Sequence, residues 1–179
     1  PQACRGIFDG ANIANQKYLN NTVYNISSHG ASAGIYKSDT QANFEITNNI
    51  VIMGGTGNCY NNTSYGTFST NGSSDSTGTS GLQSLTAANL FTSTTAGSED
   101  LSLKSGAAAI DVGTDLSGTF TTDITGTTRS GTWELGAFNY AGAEPSPTPT
   151  PSNTATPSVT PSITATSSVT PSITATPSL

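Results

Sequence analysis

The sequence predicts an all-β chain whose first part winds as a solenoid of stacked parallel strands. Three observations carry this. Runs of Ala, Leu, Glu and Lys are missing while Gly, Asn, Ser and Thr are plentiful, so helix content is low. The apolar segments are strand-sized and separated by turn formers, with no sustained 3.6-residue period. And RGIFDGANIANQKYLNNTVYNIS returns 28 residues later as AGIYKSDTQANFEITNNIVIMGG. At that offset Gly6 falls on Gly34, Ile7 on Ile35, Phe8 on Tyr36, Asn15 on Asn43 and Val23 on Val51, and seven of the twenty positions from Gly6 to Asn25 are identical.

A repeat of this length points to stacked units, each strand pairing with its copy about 4.8 Å away. In each unit Gly-Ile-Phe or Gly-Ile-Tyr, then Phe44 to Ile46, then Ile50 to Met53 are the strands. Asn20 over Asn48 and Asn21 over Asn49 are expected to stack as amide ladders, satisfying backbone groups at a buried bend. A degenerate third unit lies around Asn61 to Phe68. Coils therefore occupy 1–68, and the Ser/Thr/Gly-rich 69–80 reads as a surface loop. Final coils and a C-terminal cap are expected over 81–143, with a helical turn at Leu85 to Leu90. Short strands are expected at Asp100 to Leu103, Ala109 to Val112, Thr122 to Ile124 and Leu135 to Tyr140.

From 144 to 179 the composition changes. Between Pro145 and Leu179, Pro, Ser and Thr hold 26 of 35 positions, and SVTPSITAT occurs twice. Such a segment buries too little apolar area to offset chain entropy. It reads as an extended linker or stalk of the O-glycosylated type, with addition to a neighbouring solenoid as the alternative. The chain opens on Pro1 without a signal peptide and is expected to be a processed product or a fragment.

The net charge of −6, with five Lys and Arg in all, argues against nucleic acid as a partner. No apolar run is long enough to span a membrane. Two cysteines and one histidine do not make a zinc site. A strict 28-residue register projects Cys59 onto position 31 and then position 3, two rungs from Cys4, too far for a disulfide.

The NNTVYN and ITNNIV phrases resemble right-handed parallel β-helix proteins of the pectin-lyase-like group. Asp100, Leu103, Gly106, Ala109, Ile110, Asp111 and Gly113 lead the second set of matches. Asp123, Ile124, Gly126, Arg129, Gly136 and Ala137 follow, and together they resemble the C-terminal end of bacterial choice-of-anchor Q surface proteins. Glu134 and Leu135 depart from that pattern. The first resemblance implies polysaccharide lyases, hydrolases or non-catalytic surface proteins. The second implies an extracellular or cell-surface location of the bacterial type.

Asp111, Asp123 and Arg129 are expected to form a bonded network pinning the cap over the open solenoid end. A calcium ion held by Asp111, Asp115, Asp123 and Glu134 is the alternative. Trp133 reads as cap packing, with sugar stacking as its alternative, and Tyr36 is the second candidate for ligand binding. Asp9 over Lys37 and Glu45 over Lys17 read as charge pairs on a solvated face. No acidic cluster beside an Arg lies on the coils, and His29 has no local acid partner, so no catalytic residue is assigned. Three functions stay open. One is a secreted or surface β-helix used for binding, adhesion or scaffolding, with glycans or cell-wall polymer as candidate partners. Another is the end of a polysaccharide-degrading enzyme, and the third a self-assembling filament subunit.

Overall fold

The structure, a computed structural model, describes residues 3–10, 14–26, 32–37, 43–61, 63–64, 66–140 and 142. The chain divides into two compact units, 1–144 and 145–179. All described residues lie in the first, so the readings of the tail and of His29 fall outside them.

Nine strands make three coils. The first coil holds β1 (Arg5–Asp9), β2 (Lys17–Leu19) and β3 (Thr22–Ile26). The second holds β4 (Ala33–Lys37), β5 (Glu45–Thr47) and β6 (Ile50–Met53), and the third β7 (Asn58–Asn61), β8 (Thr67–Ser69) and β9 (Gly72–Ser73). Each strand pairs in parallel with its counterpart, giving three sheets ordered β1-β4-β7, β2-β5-β8 and β3-β6-β9: a parallel β-helix. The 28-residue register is kept between the first two coils, with Ile7 on Ile35, Tyr18 on Ile46 and Val23 on Val51. The third coil is shorter. Ile35 pairs with Tyr60, Ile46 with Phe68 and Val51 with Ser73, so the step falls to 25 residues and then to 22. Cys59 consequently lies beside Gly34's rung position rather than at 31. It is buried, with its thiol 3.3 Å from the Val51 carbonyl.

The core of the coils gathers Val23, Ile35, Ile46, Val51 and Tyr60, with Phe44 and Cys59. Gly34 is required by close approach: a Cβ there would sit 2.0 Å from Val51 Cγ1. β6 is apolar without alternation because both its faces are covered. Val51 faces the coil interior, while Ile50 and Ile52 belong to a second core with Leu90, Phe91, Leu103 and Leu135.

The two asparagines of each NN pair do different work. Asn20, Asn48 and Thr70 take left-handed φ values of 50°, 60° and 49°, turning the chain between the second and third sheets. Asn21, Asn49 and Asn71 form the inner ladder. The backbone N–H and side-chain Nδ2 of Asn21 both donate to Asn49 Oδ1, at 3.0 and 2.9 Å. Asn49 donates in the same way to Asn71 Oδ1, again at 3.0 and 2.9 Å. Asn49 Nδ2 also bonds the Tyr18 carbonyl, and Asn71 Nδ2 the Ile46 carbonyl.

Segment 69–80, expected as a surface loop, carries the ladder's third rung and then covers the outer edge of β7 and the Asn71 corner. Asn71 and Ser73 are fully buried. The fixed offset missed Asn71 because loop shortening moved it six places. Beyond it, side-chain oxygens stand where a fourth coil would pair. Asp75 Oδ2 accepts from Cys59 N (2.7 Å), Thr77 Oγ1 from Tyr60 N (3.0 Å) and Thr79 Oγ1 from Asn71 N (2.8 Å). An edge whose donors are answered this way offers no template for another strand.

The remaining described chain adds no strand to the three parallel sheets, and its Leu82 carbonyl and Leu85 N–H bond Ser73 at the edge of β9. After the one-turn helix α1 (Ala87–Leu90) come the antiparallel pair β10 (Phe91–Ser93) and β11 (Asp100–Leu103). Ala109 to Val112 and Leu135 to Tyr140, expected as strands, are turns and irregular chain, and Thr122 makes only an isolated bridge with Thr128. This half lies along the side of the coils as a buttress. Asn20 Nδ2 donates to the Glu134 and Gly136 carbonyls (2.9 and 3.0 Å), and Asn48 Nδ2 to the Thr114 carbonyl (2.7 Å). Gly136 N donates back to the Asn48 carbonyl at 2.7 Å. Gly136 has φ 83°, and a Cβ there would meet Thr22 Oγ1 at 2.5 Å.

The end cap responds to pH through Asp75. Burial pushes its carboxyl up, but hydrogen bonds from the Thr77 hydroxyl, Cys59 N–H and Thr77 N–H outweigh this and hold it below its ordinary value. The folded pKa is depressed, so the stabilisation is present above the unfolded value near 3.8 and is lost as pH falls through the folded one. Asp75→Asn is expected to lower stability by about 1–3 kcal/mol at pH 7, since the amide cannot accept on both sides. The gap to wild type should narrow below about pH 4, as read from urea unfolding at both pH values.

Candidate functional site

The outer side of the first sheet carries the exposed chemistry. Phe8 and Tyr36 are register partners on neighbouring rungs, and their rings stack at 5.8 Å with a 36° tilt. Phe8 is 54% exposed and Tyr36 is half-buried. The Arg5 guanidinium lies 4.6 Å from the Phe8 ring centre and 4.3 Å from that of Tyr36. The exposed guanidinium thus lies against both rings as a cation–π contact. Tyr36, expected as a candidate for ligand binding, lies on this outer face beside Phe8 and Arg5.

Arg5 differs from the other cations. Lys17 pairs with Glu45 (2.9 Å), Lys37 with Asp9 (2.8 Å) and Arg129 faces Glu134 (3.7 Å), while Lys104 donates to the Ala88 carbonyl. Among the described residues Arg5 alone of the five has neither a carboxylate nor a carbonyl partner.

Next to this patch the Asp9–Lys37 pair is buried, at 3% and 1% side-chain exposure, which corrects the solvated reading. Asp9 sits two residues after Ile7, and Lys37 two after Ile35, so strand alternation turns both inward. Lys37 Nζ also donates to Gln16 Oε1 at 3.2 Å and lies 5.2 Å from the Phe44 ring centre. The Lys17–Glu45 pair is the exposed one, at 53% and 24%. It walls a polar groove of about 270 Å³ lined also by Asn15, Gln16, Asn43, Phe44 and Thr67.

The buttress places its expected site residues differently. Trp133 is 2% exposed, packed edge-on against Phe120 (5.1 Å) and beside the Arg129 guanidinium (5.3 Å). It is a packing residue with no face for a sugar. Arg129 donates to the Gly136 carbonyl (2.9 Å) and faces the Glu134 carboxylate at 3.7 Å, and the charge of Asp123 also acts on it. Burial pulls the Arg129 guanidinium below its ordinary value and pushes the Glu134 carboxyl up. Asp123 serves a turn: Oδ1 accepts from Thr125 N, Thr125 Oγ1 and Thr127 N, and Oδ2 from Asn139 N. Asp111 and Asp115 are exposed. Among the described residues no three of His, Cys, Asp and Glu converge on a metal position. A second cleft, of about 340 Å³, lies between α1 and the Lys104–Ala108 turn. No described helix is long and apolar enough to cross a membrane.

Comparison with protein-family models, with curated proteins and with solved structures finds no match.

The two lysine pairs are expected to separate on mutation. Lys37→Ala leaves Asp9 buried without its counter-charge and should cost about 3–5 kcal/mol. Lys17→Ala removes an exposed pair and should cost no more than about 1 kcal/mol. Urea unfolding midpoints of the two variants, compared with wild type at pH 7, test this ordering.

Proposed function

We propose that this protein is an extracellular or cell-surface β-helix that binds an acidic glycan along the outer side of its first sheet. Membership of the pectin-lyase-like group, with an end of the choice-of-anchor Q type, is part of the same proposal and rests on the quoted motifs. The tail serves as the stalk that holds the domain away from its anchor. The observation that carries the reading is the Arg5–Phe8–Tyr36 stack. Aromatic faces take the C–H face of a pyranose, and a guanidinium takes a carboxylate in bidentate fashion. A cation without a carboxylate partner among the described residues, in a chain of net charge −6, favours a sugar that brings its own carboxylate, a uronate. The neighbouring groove, with Asn15, Asn43, Gln16 and Thr67, offers amides and a hydroxyl to further sugar hydroxyls.

The test is a titration of the full chain with neutral and uronate oligosaccharides. Uronate oligomers should bind, and Arg5→Ala and Tyr36→Ala should each weaken binding at least about tenfold, or about 1.4 kcal/mol. Lys17→Ala should leave affinity within about twofold, since that cation is already paired. Binding that ignores Arg5 and Tyr36, or that prefers neutral glycans, would overturn the reading.

A further inference from the structure

Two lysine–carboxylate pairs tie the first coil to the second, and burial sets them apart. Lys17 and Glu45 are register partners 2.9 Å apart, with side chains 53% and 24% exposed. Asp9 and Lys37 are also register partners, 2.8 Å apart, but their side chains are only 3% and 1% exposed. Water solvates the first pair and is kept from the second. The Phe44 ring, 5.2 Å from Lys37 Nζ, walls the buried pair, and Gln16 Oε1 accepts from Nζ at 3.2 Å.

This seclusion has a chemical consequence. Both ions have given up their hydration, which raises the ionic form in energy relative to a neutral one. Two groups held in contact by a folded frame also react as if each faced the other at an effective concentration of about 10⁵–10⁸ M. A carboxylate and an ammonium together contain the atoms of one amide and one water. Their condensation therefore consumes no oxidant, metal or outside acid, and it leaves no charge behind in the interior.

We propose that Asp9 and Lys37 condense to an amide, a covalent bridge between β1 and β4. A proton passes along the 2.8 Å hydrogen bond from Nζ to Oδ2, leaving an amine against a carboxylic acid. The Nζ lone pair attacks Cγ of Asp9, and the Nζ–Cγ bond forms. A second proton moves from Nζ to the hydroxyl oxygen, the Cγ–O bond breaks, and water leaves. The hydrogen that stays on nitrogen is the one given to Gln16 Oε1. The bridge joins positions 28 residues apart and fastens β1, an edge strand of the first sheet, to the strand beside it. It rests on burial and contact alone and is independent of the glycan reading.

The experiment is intact-mass spectrometry of the denatured full chain, made in a host that adds no glycans, followed by tryptic mapping. The chain should weigh one water less than its sequence. It should not lose two, because the solvated Lys17–Glu45 pair, of the same chemistry and the same register, stays ionic. Acylated Lys37 resists trypsin, so Gly6–Lys17 and Tyr18–Lys104 should appear as one branched peptide. Asp9→Ala should show the full mass of its own sequence and regain the cut after Lys37, whether or not that variant folds. A parent chain of full mass would overturn the proposal. So would a loss of one water with Lys37 still cleaved, which marks an imide closed between Asp9 and Gly10 within the backbone. A bridge between Lys17 and Glu45 would also overturn it, since burial would then not decide which pair condenses.

Discussion

A single hydrogen-bond relation underlies this molecule: a backbone N–H on one rung donating to an asparagine side-chain oxygen on the next. The buried strand faces specify register within each sheet, but strands of two to five residues leave the corner between sheets to be fixed by something else. The Asn21–Asn49–Asn71 series pins all three coils at the same corner. It holds even though the step shrinks from 28 to 22 residues between one rung and the next. Residues were lost from the loops and at Asn25, where the β3–β6 register slips by one, not from the corner, so the corner is where the fold is specified.

The neighbouring asparagines extend this control outward. Asn20 and Asn48 adopt the left-handed turn that places Asn21 and Asn49 inward, and their own amides then hold the buttress by its carbonyls. Each NN pair therefore stitches in two directions, along the solenoid axis and sideways to the C-terminal half. The second core, between β6 and the Leu90–Leu103–Leu135 side, supplies the apolar burial that this polar stitching positions.

Much of this was legible. The 28-residue repeat gave the register of the first two coils residue by residue, and the NN pairs announced a stacked amide corner. What was not legible has physical causes. A fixed offset cannot follow a shortened coil, so Asn71 and the cap built from Asp75, Thr77 and Thr79 looked like loop composition. The unbroken run Ile50 to Met53 did signal a strand covered on both faces. That was the available clue that something lies outside the third sheet. Alternation from Ile7 and Ile35 likewise placed Asp9 and Lys37 inside, against the habit of reading charges as solvated. The exposed site depends on which aromatic rings stay uncovered. Trp133 and Tyr36 look alike in sequence, and only packing buries the first and leaves the second at the surface.

The most direct test of the ladder is a double-mutant cycle on Asn49 and Asn71, read by urea unfolding of wild type, Asn49→Ala, Asn71→Ala and the double variant. Side chains joined through one shared oxygen should couple by at least about 1 kcal/mol, the double variant losing less than the sum of the singles. Strict additivity, within about 0.3 kcal/mol, would mean that the two amides do not act on one another and that the coils are held in register by something else.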